Sequence, residues 1–104
     1  MRQHDVIRVR DVINVASNAA DYPKTPRERR FVIIARHAEA AGLTVADLIG
    51  PSRVSRVARA RWAAMREIQL VFGDSYPMIG RLFKRDHTSV MHGINRLAEI
   101  EARP

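Results

Sequence analysis

Residues 86 to 92 read Asp86-His87-Thr88-Ser89-Val90-Met91-His92, placing one carboxylate, two imidazoles and two hydroxyls within seven positions. Three kinds of chemistry use such groups. Metal chelation needs the imidazoles on one face, yet His87 and His92 are five apart, about 140° around a helix. There is no cysteine to complete a metal site or form a disulfide, so neither metal nor cofactor is expected. Catalysis needs a nucleophile beside a base, or paired carboxylates, and no such set stands at useful spacing; Asp86 beside His87 fits helix capping better. An enzyme is therefore not expected. The third use is hydrogen bonding to base edges, where short polar side chains at a helix start meet the donors and acceptors of the major groove.

That use requires elements to present the side chains. Ser75 to Phe83 reads as a short helix capped by Ser75, and only Lys84 and Arg85 join it to a second helix capped by Asp86. Two helices with so tight a turn form a helix-turn-helix. Projected at 3.6 residues per turn, Val90, Ile94, Leu97 and Ala98 share one face of the second helix. Thr88, Ser89, His92, Asn95, Arg96, Glu99 and Arg103 lie opposite, with Glu99 and Glu101 at the end far from the capped start. His87 projects toward the core side, so packing competes with readout there, although a first-turn residue still reaches outward. Asp86 can cap the helix and accept from a cytosine amine with its two oxygens. Asp86, His87, Thr88, Ser89 and His92 are thus the candidate base readers.

Positive charge supports the same reading. The 104 residues carry 18 Lys and Arg against 11 Asp and Glu, a formal net charge of +7, and only Lys24 and Lys84 are lysines. Arginine suits bidentate contact with phosphate and guanine, although basic charge alone equally suits RNA, acidic lipid or an acidic protein. Arg53, Arg56, Arg59, Arg61 and Arg66 occur with no acid between Asp47 and Glu67, just after a Gly50-Pro51 break. Such a run is usually a solvated face. Its place on a loop lets Arg53 enter a minor groove while the others meet phosphates and set register.

Glycine and proline divide the remainder into helices. Residues 5 to 20 carry Val6, Val9, Ile13, Ala16 and Ala20 at helical spacing after Asp5, with enough β-branched residues that a strand remains open for part of it. Thr25-Pro26-Arg27-Glu28 predicts a capping box, and the helix behind it is expected to bury Phe31, Ile34, Ala35 and Ala38 until Gly42. Thr44 to Asp47 repeats the box and opens a short turn through Leu48. A long helix follows over residues 55 to 72, with Val57, Ala60, Ala64, Ile68 and Val71 as its apolar stripe. The expected fold is all-α, a compact bundle of about five helices containing a helix-turn-helix, a basic loop and a long central helix. Residues 1–22 are expected to form a separable helical arm and residues 23–104 the DNA-binding domain. No apolar run approaches the ~20 residues of a membrane span and no secretory signal is evident, so a cytoplasmic protein is the default.

Taken together, these residues resemble the C-terminal DNA-binding domain, domain IV, of the bacterial replication initiator DnaA. Arg85-Asp86-His87-Thr88-Ser89-Val90-Met91-His92 looks like that family's RDHTTVLH signature. The resemblance covers roughly residues 28 to 100, through Tyr76-Pro77, Ile79-Gly80, Phe83, Val57-Ala58-Arg59, Arg61 and Val45-Ala46-Asp47-Leu48. It implies recognition of a DnaA box, a short asymmetric duplex site of the TTATCCACA type. It also implies base readout by Asp86, His87, Thr88 and Ser89 with His92 as a further contact. Tyr76 and Pro77 match positions that approach thymine methyls and backbone, Arg53 the minor-groove arginine, and Arg61 a phosphate-contacting arginine. Ser75, Lys84, Arg85, Arg56, Arg59, Asn95 and Arg96 complete the candidate backbone contacts. The chain departs from the pattern in three places. Phe83-Lys84-Arg85-Asp86 is one residue shorter than the usual Phe-Gly-Gly-Arg-Asp. Gln69 stands where a lysine often meets phosphate, with Arg66 one turn away as its substitute. Ser89 and Met91 replace the usual Thr and Leu.

No GxxxxGK[ST] loop is present, so nucleotide-driven origin melting is not expected. The leading expectation is a sequence-specific duplex-DNA binder acting in transcription or replication-initiation control. The alternative keeps the fold but makes it a protein-interaction module for the host initiator or transcription machinery. In that case residues 5–20, with Val6, Val9, Val12 and Ile13, serve as the contact surface or a homodimer seam.

Overall fold

Two reciprocal capping boxes set the first two helices. In the computed structural model, which describes residues 25–104, Thr25 Oγ1 accepts from the Glu28 amide at 3.0 Å while Glu28 Oε1 accepts from the Thr25 amide at 2.9 Å. Pro26 then opens α1 (Pro26–Ala40), where its missing N–H costs nothing. The helix ends in a Schellman motif: Gly42 turns to φ +72°, and the Leu43 amide donates to Ala38 O at 2.8 Å. Thr44 and Asp47 repeat the capping box at 3.1 and 2.9 Å, starting α2 (Val45–Ile49). The expected arm over residues 1–22, its apolar stripe and its possible partner surface lie outside the described residues.

α3 (Ser55–Phe72) is the central helix, and α4 (Tyr76–Phe83) and α5 (His87–Glu101) form the helix-turn-helix. α1 packs along α3, α3 along α5 and α4 against α5, with α2 wedged between α1 and α3. Ile34, Leu48, Ala64, Ile68, Ile79, Phe83 and Val90 are fully buried at the centre. Arg30 ties α1 to the α3–α4 connection: its guanidinium meets the Asp74 carboxylate at 2.6 and 2.8 Å and lies 4.1 Å from the centroid of the Phe72 ring. Among the described residues there is no strand, and no helix is long and apolar enough to cross a membrane.

The expected stripes need correction at their ends. Val71 is 59% exposed and Ala98 is exposed, because at these levels the inward-facing positions are Ile68 and Phe72 on α3 and Ile94 and Leu97 on α5. Along α3 the buried face instead includes Ala58, Arg61 and Met65. In α1, Ile33 is buried whereas Phe31 is half-buried under the Arg27 guanidinium, 4.8 Å from its ring centroid.

The shortened turn closes by the left-handed route. Lys84 adopts φ 57°, and the Arg85 amide donates to Gly80 O at 2.8 Å. This places the Arg85 carbonyl against Gly80, where a Cβ would lie 2.3 Å from its oxygen, so only glycine fits.

Candidate nucleic-acid interface

Asp86 caps α5 as expected. Its Oδ1 accepts from the Ser89 amide at 2.8 Å, and that N–H holds the carboxyl below its ordinary range, so it presents as an acceptor. His87, Thr88, Ser89 and His92 are all exposed. His87, which projected toward the core, sits at the first residue of α5, where no preceding turn covers it. Asn95 and Arg96 continue this face one turn on, and Arg96 pairs with Glu99 at 3.2 Å. Behind the face, Val90, Gly93, Ile94 and Leu97 anchor the helix to the core.

Trp62 belongs to this region, although sequence reasoning passed over it. It projects from α3 onto Gly93, where a Cβ would lie 2.3 Å from its indole ring. The half-buried indole then lines two shallow grooves, one with Ser89, His92, Asn95 and Arg96, the other with Arg53, Lys84, Arg85 and Ser89. The only available signal was a single tryptophan opposite a glycine inside a helix, and nothing in the spacing pairs position 62 with position 93.

The second groove brings the basic loop beside the start of α5. Arg53, Arg56 and Arg59 are exposed and form no ion pair among the described residues. Val54 occupies the N-cap of α3 without a side-chain cap bond, so the first amides of an 18-residue helix open toward this region. On the α4 side, Ser75 caps the helix by accepting from the Met78 amide at 3.3 Å; Pro77 is exposed and Tyr76 half-buried against the core.

Three of the arginines expected at phosphate have hydrogen-bond partners within the fold. Arg61 is 4% exposed: its Nε donates to Leu48 O at 2.6 Å, and its Nη2 to Gly50 O and Ser52 O at 3.1 and 3.0 Å. Burial, then the charge of Arg85, pushes its guanidinium down to about 10, still protonated at neutral pH. Arg85 is half-buried and donates to Ile49 O, Gly50 O and Phe83 O. Arg66 is held by Glu101 through two bonds of 2.7 and 2.8 Å, so its fork is occupied by an acid. The sequence cannot separate these from Arg56 and Arg59, because helical spacing does not say which arginines find partners within the fold.

Two helices joined through Lys84, Arg85 and Asp86, the second exposing a polar face from its first turn, define a helix-turn-helix DNA-binding domain. Residues 32–97 match the family described as bacterial dnaA protein helix-turn-helix, and the chain belongs to that family. Its relatives include the chromosomal replication initiator protein DnaA of Cereibacter sphaeroides, 41% identical over 66 residues, which are 62% of this chain and 14% of that protein. The DnaA of Ruegeria pomeroyi is 43% identical over 60 residues, 57% of this chain and 13% of that protein. The DnaA of Clavibacter sepedonicus is 46% identical over 59 residues, 56% and 12% of the two chains. The chain thus matches only a small part of the length of these initiators.

Proposed function

We propose that this protein binds duplex DNA sequence-specifically at a DnaA-box-like site and acts there as a regulator of transcription or of replication initiation. The observation that carries this reading is the juxtaposition along one groove of Ser89, on the exposed polar start of α5, and Arg53 of the basic loop, with the exposed Arg56 and Arg59 following on α3. Asp86, His87, Thr88, Ser89 and His92 read base edges in the major groove. Arg53 enters the adjacent minor groove. Arg56, Arg59, Lys84, the first amides of α3, Ser75, Pro77, Asn95 and Arg96 meet the backbone and set register. Arg61, Arg85 and Arg66 are left out of the phosphate contacts, since backbone carbonyls hold the first two and Glu101 holds the third.

Charge distribution supports this reading. Glu67, Asp74, Glu99 and Glu101 pair with Arg36, Arg30, Arg96 and Arg66, whereas Arg53, Arg56 and Arg59 remain unneutralised. The test is selection from random duplexes with the full chain. The proposal expects an enriched motif close to TTATCCACA; enrichment of an unrelated motif would refute the box assignment, and no enrichment would refute sequence-specific binding.

A further inference from the structure

Arg61 and Arg85 come from different elements and converge on one strip of backbone. Arg61, from the second turn of α3, reaches Leu48 O, Gly50 O and Ser52 O. Arg85, which directly precedes the N-cap of the recognition helix, donates to Gly50 O at 2.8 Å and Ile49 O at 3.3 Å. The Gly50 carbonyl is shared between the two guanidiniums. The strip runs from the last turn of α2, whose final carbonyls lack helical partners, into the irregular residues 50–54 that carry Arg53, so its carbonyls need partners from elsewhere. A planar fork with five donors can gather several carbonyls at once, which an ammonium cannot do in the same geometry. Unlike Arg30, Arg36, Arg66 and Arg96, the two are held by carbonyls and not by a carboxylate.

We propose that Arg61 and Arg85 are positioning residues that clasp the Arg53 loop to the start of the recognition helix, so that minor-groove and major-groove readings are made by one rigid unit at a fixed separation. This rests on the DNA reading above. With the clasp intact the loop arrives ordered, and the Arg53 contact is made without first ordering it. With the clasp open, ordering the loop offsets much of what Arg53 contributes. The two positions must therefore be energetically coupled, even though Arg61 need not touch DNA.

A double-mutant cycle tests this in the full chain, measuring affinity for a DnaA-box duplex with Arg53→Ala, Arg61→Lys and both together. The lysine keeps the charge and removes the fork. Arg53→Ala is expected to cost about tenfold in the parent and less than about threefold beside Arg61→Lys. Arg61→Lys is also expected to lose discrimination at the minor-groove base pairs while keeping it at the pairs read by Thr88 and Ser89; a merely weakened fold would lower both alike. An equal Arg53→Ala penalty in both backgrounds would overturn the clasp and leave the DNA reading standing. A parent that does not tell the box from a shuffled duplex would overturn the DNA reading and the clasp with it. If thermal melts show Arg61→Lys unfolded, Arg85→Lys, at a half-buried site on the other side of the clasp, takes its place under the same criteria.

Discussion

Thr88 and Ser89 lie exposed on the first turn of α5, and Arg59 lies exposed on α3, yet their proposed roles differ in kind. A base-edge contact carries sequence information, so Thr88→Ala or Ser89→Ala should cost ~1–3 kcal/mol on the preferred duplex and little on a shuffled one. A phosphate contact carries none, so Arg59→Ala should weaken all duplexes alike and reduce the slope of log K against log salt by about 0.9. Salt titrations of both variants on both duplexes check this, and identical behaviour would dissolve the distinction between readers and positioners. Lys84 offers a test of backbone strain. At φ 57° its side chain incurs the left-handed cost that glycine avoids, so Lys84→Gly should raise stability by about 0.5–1 kcal/mol, read as a higher Tm. A lower Tm would mean that the lysine stem contributes packing that outweighs the strain. At this scale the sequence was legible wherever the rule is local. Thr25, Thr44, Ser75 and Asp86 cap as their types and spacings dictate. Arg61 was not legible, because its partners are carbonyls 9 to 13 residues away on a loop whose path the sequence does not give.

The same division holds for elements. Helix positions and stops followed from caps, prolines and glycines, and the order of the five described helices matches the expectation. What periodicity missed was which edge of each stripe turns inward: Phe72 and not Val71 packs on the core from α3, and Leu97 and not Ala98 is buried on α5. Gly93 was also opaque: its value lies in admitting Trp62, a contact between elements that no helical wheel contains. The uncapped start of α3 gives an element-scale prediction. Val54→Asp supplies a side-chain acceptor to amides that have none, which should stabilise the fold by about 1 kcal/mol. The same carboxylate would occupy amides assigned to DNA backbone and repel phosphate, so binding should weaken as stability rises. Paired melting and binding measurements check it. A variant that melts higher and binds equally well would remove the α3 N-terminus from the interface.

Among the described residues, Glu67, Asp74, Glu99 and Glu101 each pair with an arginine, while Arg53, Arg56 and Arg59 stand exposed without an ion pair. The hydrogen bond from Arg30 holds Asp74 below the usual carboxylate range, as those from Arg36 and Arg66 do for Glu67 and Glu101, while the Ser89 amide lowers Asp86. A carboxyl whose folded pKa is depressed binds fewer protons folded than unfolded. Its stabilisation is therefore present above the unfolded value and lost as pH falls through the folded one. Urea unfolding midpoints should stay level near neutrality and fall progressively below about pH 4. Stability that rose on acidification would show that repulsion among the eight described acids, and not their pairing, governs the fold. The central claim, that the polar face of α5 reads sequence while the arginines bind backbone, is tested most directly by fluorescence anisotropy. A labelled DnaA-box duplex and a shuffled duplex would be compared at low and physiological salt. A preference for the box that persists at physiological salt is the predicted result. Equal binding to both duplexes, collapsing together as salt rises, would contradict it and leave only phosphate contacts.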